Sequence, residues 1–299
     1  MSAERRAVAF RTASVLTSLV SAIVFALVAA FPLQVSFLFV RARLLSGAWP
    51  LAARLEELLT SPPDPTSIAL AVASSSLGLM ISLLVVTFRE RDRFELFRLR
   101  PVPVRLLAIA SASMLGVSVL MSSLIGLFEL ESSTLDELRN VFDAAGWRGR
   151  LAMVPVIGLV AGTCEELFFR GLVLERLRRV LSDRVSIAIS AIMFGAMHLD
   201  PVHAVAAAAM GAVLGVVAVR TGSIVPCIVA HVVNNSVVTL VPELEGGGGL
   251  ARIMVGTVSC AAAIFALRML PRAEARGGTM GPEPARSSGA PRVEPAMDE

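Results

Sequence analysis

The sequence contains no lysine and no tyrosine, and all 27 of its basic residues are arginine. Without a lysine amine, Schiff-base chemistry and a Ser-Lys dyad are excluded. Charge is scarce, 17% of residues, and aromatics make up only 5%, so no basic stripe interleaved with rings is available to bind nucleic acid. Cysteine occurs three times, as Cys164, Cys227 and Cys260, in or beside apolar runs and without metal-site spacing. These three read as buried, unpaired thiols. The short signatures of other membrane proteases are missing too: HExxH for zinc on one helix, GxGD for an aspartyl pair and GxSG for a serine nucleophile.

Apolar residues dominate what remains. Of 299 residues 55% are hydrophobic, and the mean hydropathy is +0.74, beyond the range of an ordinary soluble domain. Charges cluster and leave uncharged runs at 12–40, 66–88, 106–128, 151–164, 185–199, 201–219, 221–242 and 253–267. A helix of about 20 residues crosses a hydrocarbon core about 30 Å thick, and the shorter runs draw on flanking residues. The expected fold is all-α, a polytopic transmembrane helix bundle of about eight spans. The membrane domain is expected over 1–270, with a disordered cytoplasmic tail, rich in Pro, Gly, Ser and Arg, over 271–299. The first run follows Arg5, Arg6 and Arg11 but has no small-residue cleavage site, and is read as a retained helix.

Arginine also sets the sides. Segments 89–105 and 170–184 are rich in it, whereas 129–150 is an acidic loop holding Glu129, Glu131, Asp136, Glu137 and Asp143. The basic segments are expected to face the cytoplasm, with both termini on that side of a multi-pass cell-membrane protein. Trp49 and Trp147 then fall at the outer interface, and LAARLEELL at 51–59 reads as an amphipathic helix on the membrane surface.

An ionisable side chain inside an apolar helix costs about 2.5–3.5 kcal/mol on insertion scales, so each one needs a reason. Glu165, Glu166 and Arg170 form EExxxR after the run VPVIGLVAGTC. Adjacent helical residues point about 100° apart, while residues four apart share a face. Glu166 and Arg170 can therefore pair as an internal lock, leaving Glu165 to face a cavity. Phe194 and His198 form FxxxH on the next helix, and His231, Asn234 and Asn235 form HxxNN in the span after Thr221. Glu165 and His198 each lie about 14 residues from the boundary markers Arg179 and Arg184, roughly 21 Å along a helix, and His231 lies roughly 16 Å beyond Arg220. One carboxylate, two imidazoles and a carboxamide are thus expected near one level of the bundle. His203, after Asp200-Pro201, reads as a helix-start residue, and Gly211 with Gly215 as a close-packing pair.

EExxxR, FxxxH and HxxxN, each on its own helix and in this order, resemble the CAAX prenyl protease 2 and bacteriocin-processing family of intramembrane proteases, also called CPBP or Abi. The resemblance covers about 150–241. It implies peptide-bond hydrolysis within the bilayer, with Glu165 as general base on a water, His198 positioning that water, and His231 with Asn235 as donors to the oxyanion. Glu166, Arg170, Phe194 and Asn234 are supporting residues in this reading. Members have been described both as metalloproteases and as metal-independent glutamate proteases. The resemblance therefore leaves open a zinc ion held by Glu165, His198 and His231, and the expectation adopted is that no metal is obligatory. The expected partners are the lipid bilayer and a peptide or membrane-protein substrate. A non-catalytic scaffold or immunity protein of the same family, and a transporter using the buried Glu, His and Arg groups, are the alternatives. A transporter would be expected to show two related halves, and none is visible.

Overall fold

The computed structural model describes residues 63–88, 97–245 and 249–269, and most of 13–36. The expected surface helix at 51–59, the interfacial Trp49 and the expected disordered tail at 271–299 lie outside the described residues.

Among the described residues the protein is all-helical, with eight helices of more than ten residues and no strand. They are α1 (Ala13–Ala26), α2 (Pro65–Thr87), α3 (Val104–Leu127), α4 (Ser133–Leu177), α5 (Asp183–Ala196), α6 (Pro201–Thr221), α7 (Val225–Leu240) and α8 (Leu250–Met269). Five of these, α2, α3, α4, α6 and α8, are long and apolar enough to cross a membrane. The others are shorter, which only the run at 185–199 had indicated: the runs at 12–40 and 221–242 were long enough for a full span, and the brief runs at 151–164 and 253–267 belong to helices that are long enough to cross.

The helices begin where local chemistry starts them. Asp64 accepts the N–H of Ser67 at 2.8 Å, and Asp200 accepts that of His203 at 2.8 Å, each just ahead of a proline that has no N–H to leave unsatisfied. Ser132 caps α4 through the N–H of Leu135 at 3.2 Å. That start corrects the reading of 129–150 as a loop, because the segment is helical from Ser133 and turns at Gly146, where φ is 60°. Its acidic residues mark an aqueous end, but Leu, Glu, Arg and Ala are also good helix formers, and polarity alone does not separate a loop from a polar helix start. α6 stops at Gly222, whose φ of 65° suits the left-handed closing position.

Within α4 two wide turns, Pro155–Ala161 and Leu167–Leu174, bracket the short α-helical stretch Gly162–Glu166. Pro155 opens the first of them by removing one backbone donor from the ladder.

Polar contacts tie the chain together at the end of α4. Glu175, almost fully buried, accepts Arg98 at 3.0 Å and Arg178 at 2.7 Å, and Arg178 also reaches Asp183 at 2.7 Å. The Ser223 hydroxyl donates to the Arg100 carbonyl at 2.7 Å. The parts of the two arginine-rich segments that are described therefore meet at one end of the bundle.

At the periphery α8 lies in a groove of α3. A Cβ on Gly256 would sit 2.8 Å from the Leu120 backbone, and one on Gly116 would sit 2.8 Å from the Ser259 side chain. Gly256→Leu should therefore cost about 1–3 kcal/mol through overpacking. Gly249→Leu, with nothing within 4 Å of the new Cβ, should leave the melting temperature in detergent unchanged. Equal melting temperatures for the two variants would refute this packing.

Candidate active site

The three motifs meet where α4, α5, α6 and α7 come together. What allows the approach is Gly162, because a Cβ there would lie 3.1 Å from the Val232 nitrogen and 3.4 Å from the His231 carbonyl carbon. With only a hydrogen between the two backbones, the glutamates one turn further along α4 reach His231 on α7.

Glu166 is fully buried, and its Oε1 accepts two partners: Arg170 Nη1 at 2.7 Å and His231 Nδ1 at 2.8 Å. Arg170, 1% exposed, donates through Nη2 to the Gly211 carbonyl of α6 at 3.0 Å. Its guanidinium also lies over the Phe194 ring of α5, 4.8 Å from the centroid. Phe194 meets Phe169, His198 and His231 edge-to-face, at centroid separations of 5.1, 5.2 and 5.8 Å. One aromatic ring thus holds both imidazoles at set angles. The expected internal lock between Glu166 and Arg170 is present, and it is also the bracket for His231.

Glu165 points elsewhere, as the 100° offset requires. Its side chain is 23% exposed, and its Oε2 lies 3.7 Å from His231 Nε2. With Nδ1 engaged by the Glu166 carboxylate, the remaining nitrogen of His231 is the one directed at Glu165.

His198 does not sit inside a span as expected. Helix α5 ends at Ala196, and His198 occupies the closing turn, with Nδ1 at 3.0 Å from the Phe194 carbonyl. The chain then reverses through Leu199, whose φ of 62° is uncommon for a residue with a branched side chain. An uncharged run over 185–199 hides this, because neither Leu199 nor Met197 announces a turn and only Asp200-Pro201 does.

Asn235 donates from Nδ2 to the Ile157 carbonyl at 3.2 Å, and Asn234 Nδ2 reaches Asn235 Oδ1 at 3.4 Å. One of the two amide hydrogens of Asn235 is therefore committed to the first wide turn of α4. Two polar atoms of this cluster, Glu166 Oε2 and Asn234 Oδ1, are buried with no hydrogen-bond partner among the protein atoms.

His203 was read as a helix-start residue. It does lie in the first turn of α6, but its ring also packs against His198 at a centroid separation of 4.4 Å. The available signal was the brevity of the connection: two histidines either side of an Asp-Pro helix start are brought together by the turn itself. The close-packing reading of Gly211 and Gly215 holds, since they face Phe194 and Ile187 of α5. Cys164, Cys227 and Cys260 are all unpaired, but only Cys227 is buried as expected; Cys164 and Cys260, on helix faces turned partly outward, are half-buried.

A zinc ion would need Glu165, His198 and His231 around one point. Among the described residues no three His, Cys, Asp or Glu side chains gather closely enough to hold a metal ion. The residues as placed do not form such a site.

No curated protein and no solved structure matches the chain. Residues 147–237 match the family model described as Type II CAAX prenyl endopeptidase Rce1-like, and this stretch holds all three motifs, in line with the resemblance that their order implied.

Proposed function

We propose that the protein is an intramembrane endopeptidase in which Glu165 activates a water against a peptide carbonyl. The observation that carries the reading is the division of labour between the paired glutamates. Glu166 is sealed and holds His231 by one nitrogen, while the partly exposed Glu165 faces the other nitrogen at 3.7 Å. A water reaching Glu165 meets a carboxylate in surroundings poor in competing solvent, which strengthens its action as a base.

In the proposed reaction Glu165 takes a proton from the water as its oxygen forms a bond to the carbonyl carbon. His198, with Nδ1 occupied by the Phe194 carbonyl, offers Nε2 to orient that water. The developing oxyanion receives the second amide hydrogen of Asn235 and His231 Nε2–H. His231 can donate there only when its ring carries both protons, since Nδ1–H already serves Glu166. Two carboxylates, one guanidinium and one imidazolium sum to zero charge, the cheapest total for a buried cluster. The C–N bond then breaks, and the leaving nitrogen takes the proton held by Glu165. No step runs through a metal.

Purified wild type in liposomes should cleave members of a membrane-peptide library, whereas Glu165→Ala and His231→Ala should lose cleavage by at least about a hundredfold, the lower range for general acid–base groups. Cleavage should survive a strong chelator. Cleavage by the alanine variants would refute the assignment, loss of cleavage in chelator would refute the metal-free route, and a folded wild type that cleaves nothing would refute the protease reading.

Stability separates the two glutamates. Glu166→Gln leaves Arg170 buried without its counter-charge and should destabilise by about 3–5 kcal/mol. Glu165→Gln, at a partly exposed position, should lower the melting temperature far less. Thermal unfolding in detergent measures both, and equal losses would refute the separation of frame from base.

A further inference from the structure

We infer that a cavity between α3, α4 and α6 is a specificity pocket for one apolar side chain of the peptide substrate, next to the scissile bond. The inference rests on the protease reading above. The cavity has a volume of about 190 Å³, below the roughly 300–1,000 Å³ of sites that take whole drug-sized ligands. Its apolar lining comes from Met121 and Ile125 of α3, Leu135 of α4, and Ala206 and Met210 of α6. Glu129, Asp136 and Arg139, also in the lining, belong to the acidic segment at the aqueous end of α3 and α4. A polypeptide can therefore place an apolar side chain among the methionines while its backbone remains among polar groups.

What ties the cavity to the chemistry is His203. This residue lines the cavity, and the same imidazole packs on His198 at a centroid separation of 4.4 Å. A single ring thus separates the cavity from the histidine proposed to hold the water. His203 Nδ1 is buried without a hydrogen-bond partner among the protein atoms. Buried polar atoms in folded proteins are nearly always paired, so this orphan is a group that a substrate atom would satisfy once the ring turns toward the cavity. An imidazole nitrogen can serve either a peptide N–H or a peptide carbonyl, depending on its tautomer. The assigned occupant is therefore a substrate residue with an apolar side chain, its backbone held by His203 and its side chain directed between Met121 and Met210. His203 acts as a positioning residue for substrate, and the methionine-lined walls set preference.

The test compares cleavage-site preference in a peptide library among wild type, Ala206→Met, Met121→Ala, His203→Phe and Glu165→Ala, each checked for folding by its melting temperature. Ala206→Met narrows the cavity and should shift preference from leucine-sized toward alanine-sized side chains at one fixed position, by about tenfold in relative kcat/KM. Met121→Ala widens it and should shift preference toward phenylalanine-sized side chains by a similar factor, since a methylene or two in an apolar pocket discriminates by about 10–200-fold. His203→Phe keeps the ring contact and removes the hydrogen bond, and should raise KM with kcat largely kept. If wild type cleaves, Glu165→Ala is silent, and both cavity variants keep the wild-type preference, the pocket is wrong and the protease reading stands. If Glu165→Ala cleaves like wild type, or wild type cleaves nothing, the protease reading fails and takes the pocket with it.

Discussion

A single carboxylate oxygen, Glu166 Oε1, is the point on which the arrangement of the site depends. It accepts Arg170 on its own helix and His231 on α7. Arg170 in turn reaches the Gly211 carbonyl of α6 and covers the Phe194 ring of α5. Four helices are thereby registered against one another through groups with no access to water. Buried ion pairs often contribute little net stability, because desolvation offsets most of their attraction. What such a pair does impose is uniqueness, since any shift of α4 against α7 leaves at least one charged or polar atom buried and unpaired. In an apolar bundle, where leucine-on-leucine contacts tolerate many registers, that penalty selects one.

In the proposed reaction the paired glutamates need opposite surroundings, and adjacency on a helix supplies them. A rotation of about 100° per residue sends one carboxylate into the frame and the next toward the cavity side. The wide turns on either side of Gly162–Glu166 place this stretch where Gly162 can touch α7. Non-α turns in helices are frequent at functional sites, where local geometry serves side-chain placement rather than ladder regularity.

How far the sequence could carry this picture follows from which physical signals are local. Charge-free runs report burial in lipid directly, so the all-helical bundle was legible from them, whereas about eight spans were expected and five of the described helices are long and apolar enough to cross. The meeting of Glu165 and His231 was legible because the cost of burying ionisable groups demands a shared reason, and helix rise sets their depth. The start of α4 at Ser133 was not, since an acidic segment looks the same as a loop or as a polar helix. His198 was placed in a helix and is found in a turn, because Leu199 takes a left-handed conformation that no glycine or asparagine announces. The wide turn at Leu167–Leu174 has no visible cause in the residue types, whereas the one at Pro155 does. The role of His203 depends on a cavity formed by three helices, and no single segment of sequence encodes that.

A gradient of burial separates the groups that hold the cluster together from those proposed to act in it. Glu166 and Arg170 are sealed, and His231 is nearly so, while Glu165 and His198 retain exposure and Asn235 keeps one amide hydrogen uncommitted. Preorganisation requires reacting groups to be fixed by neighbours that do not themselves react. The proposed hydrolysis would add the requirement that water reach one carboxylate without reaching the ion pair beside it, because hydrating Glu166 and Arg170 would weaken the constraint that registers the helices. Placing His198 in the turn after α5 rather than within the helix meets both demands. The imidazole is tethered to the Phe194 carbonyl through its Nδ1 and is half-buried, and in the proposed reaction its other nitrogen is the one that meets the water.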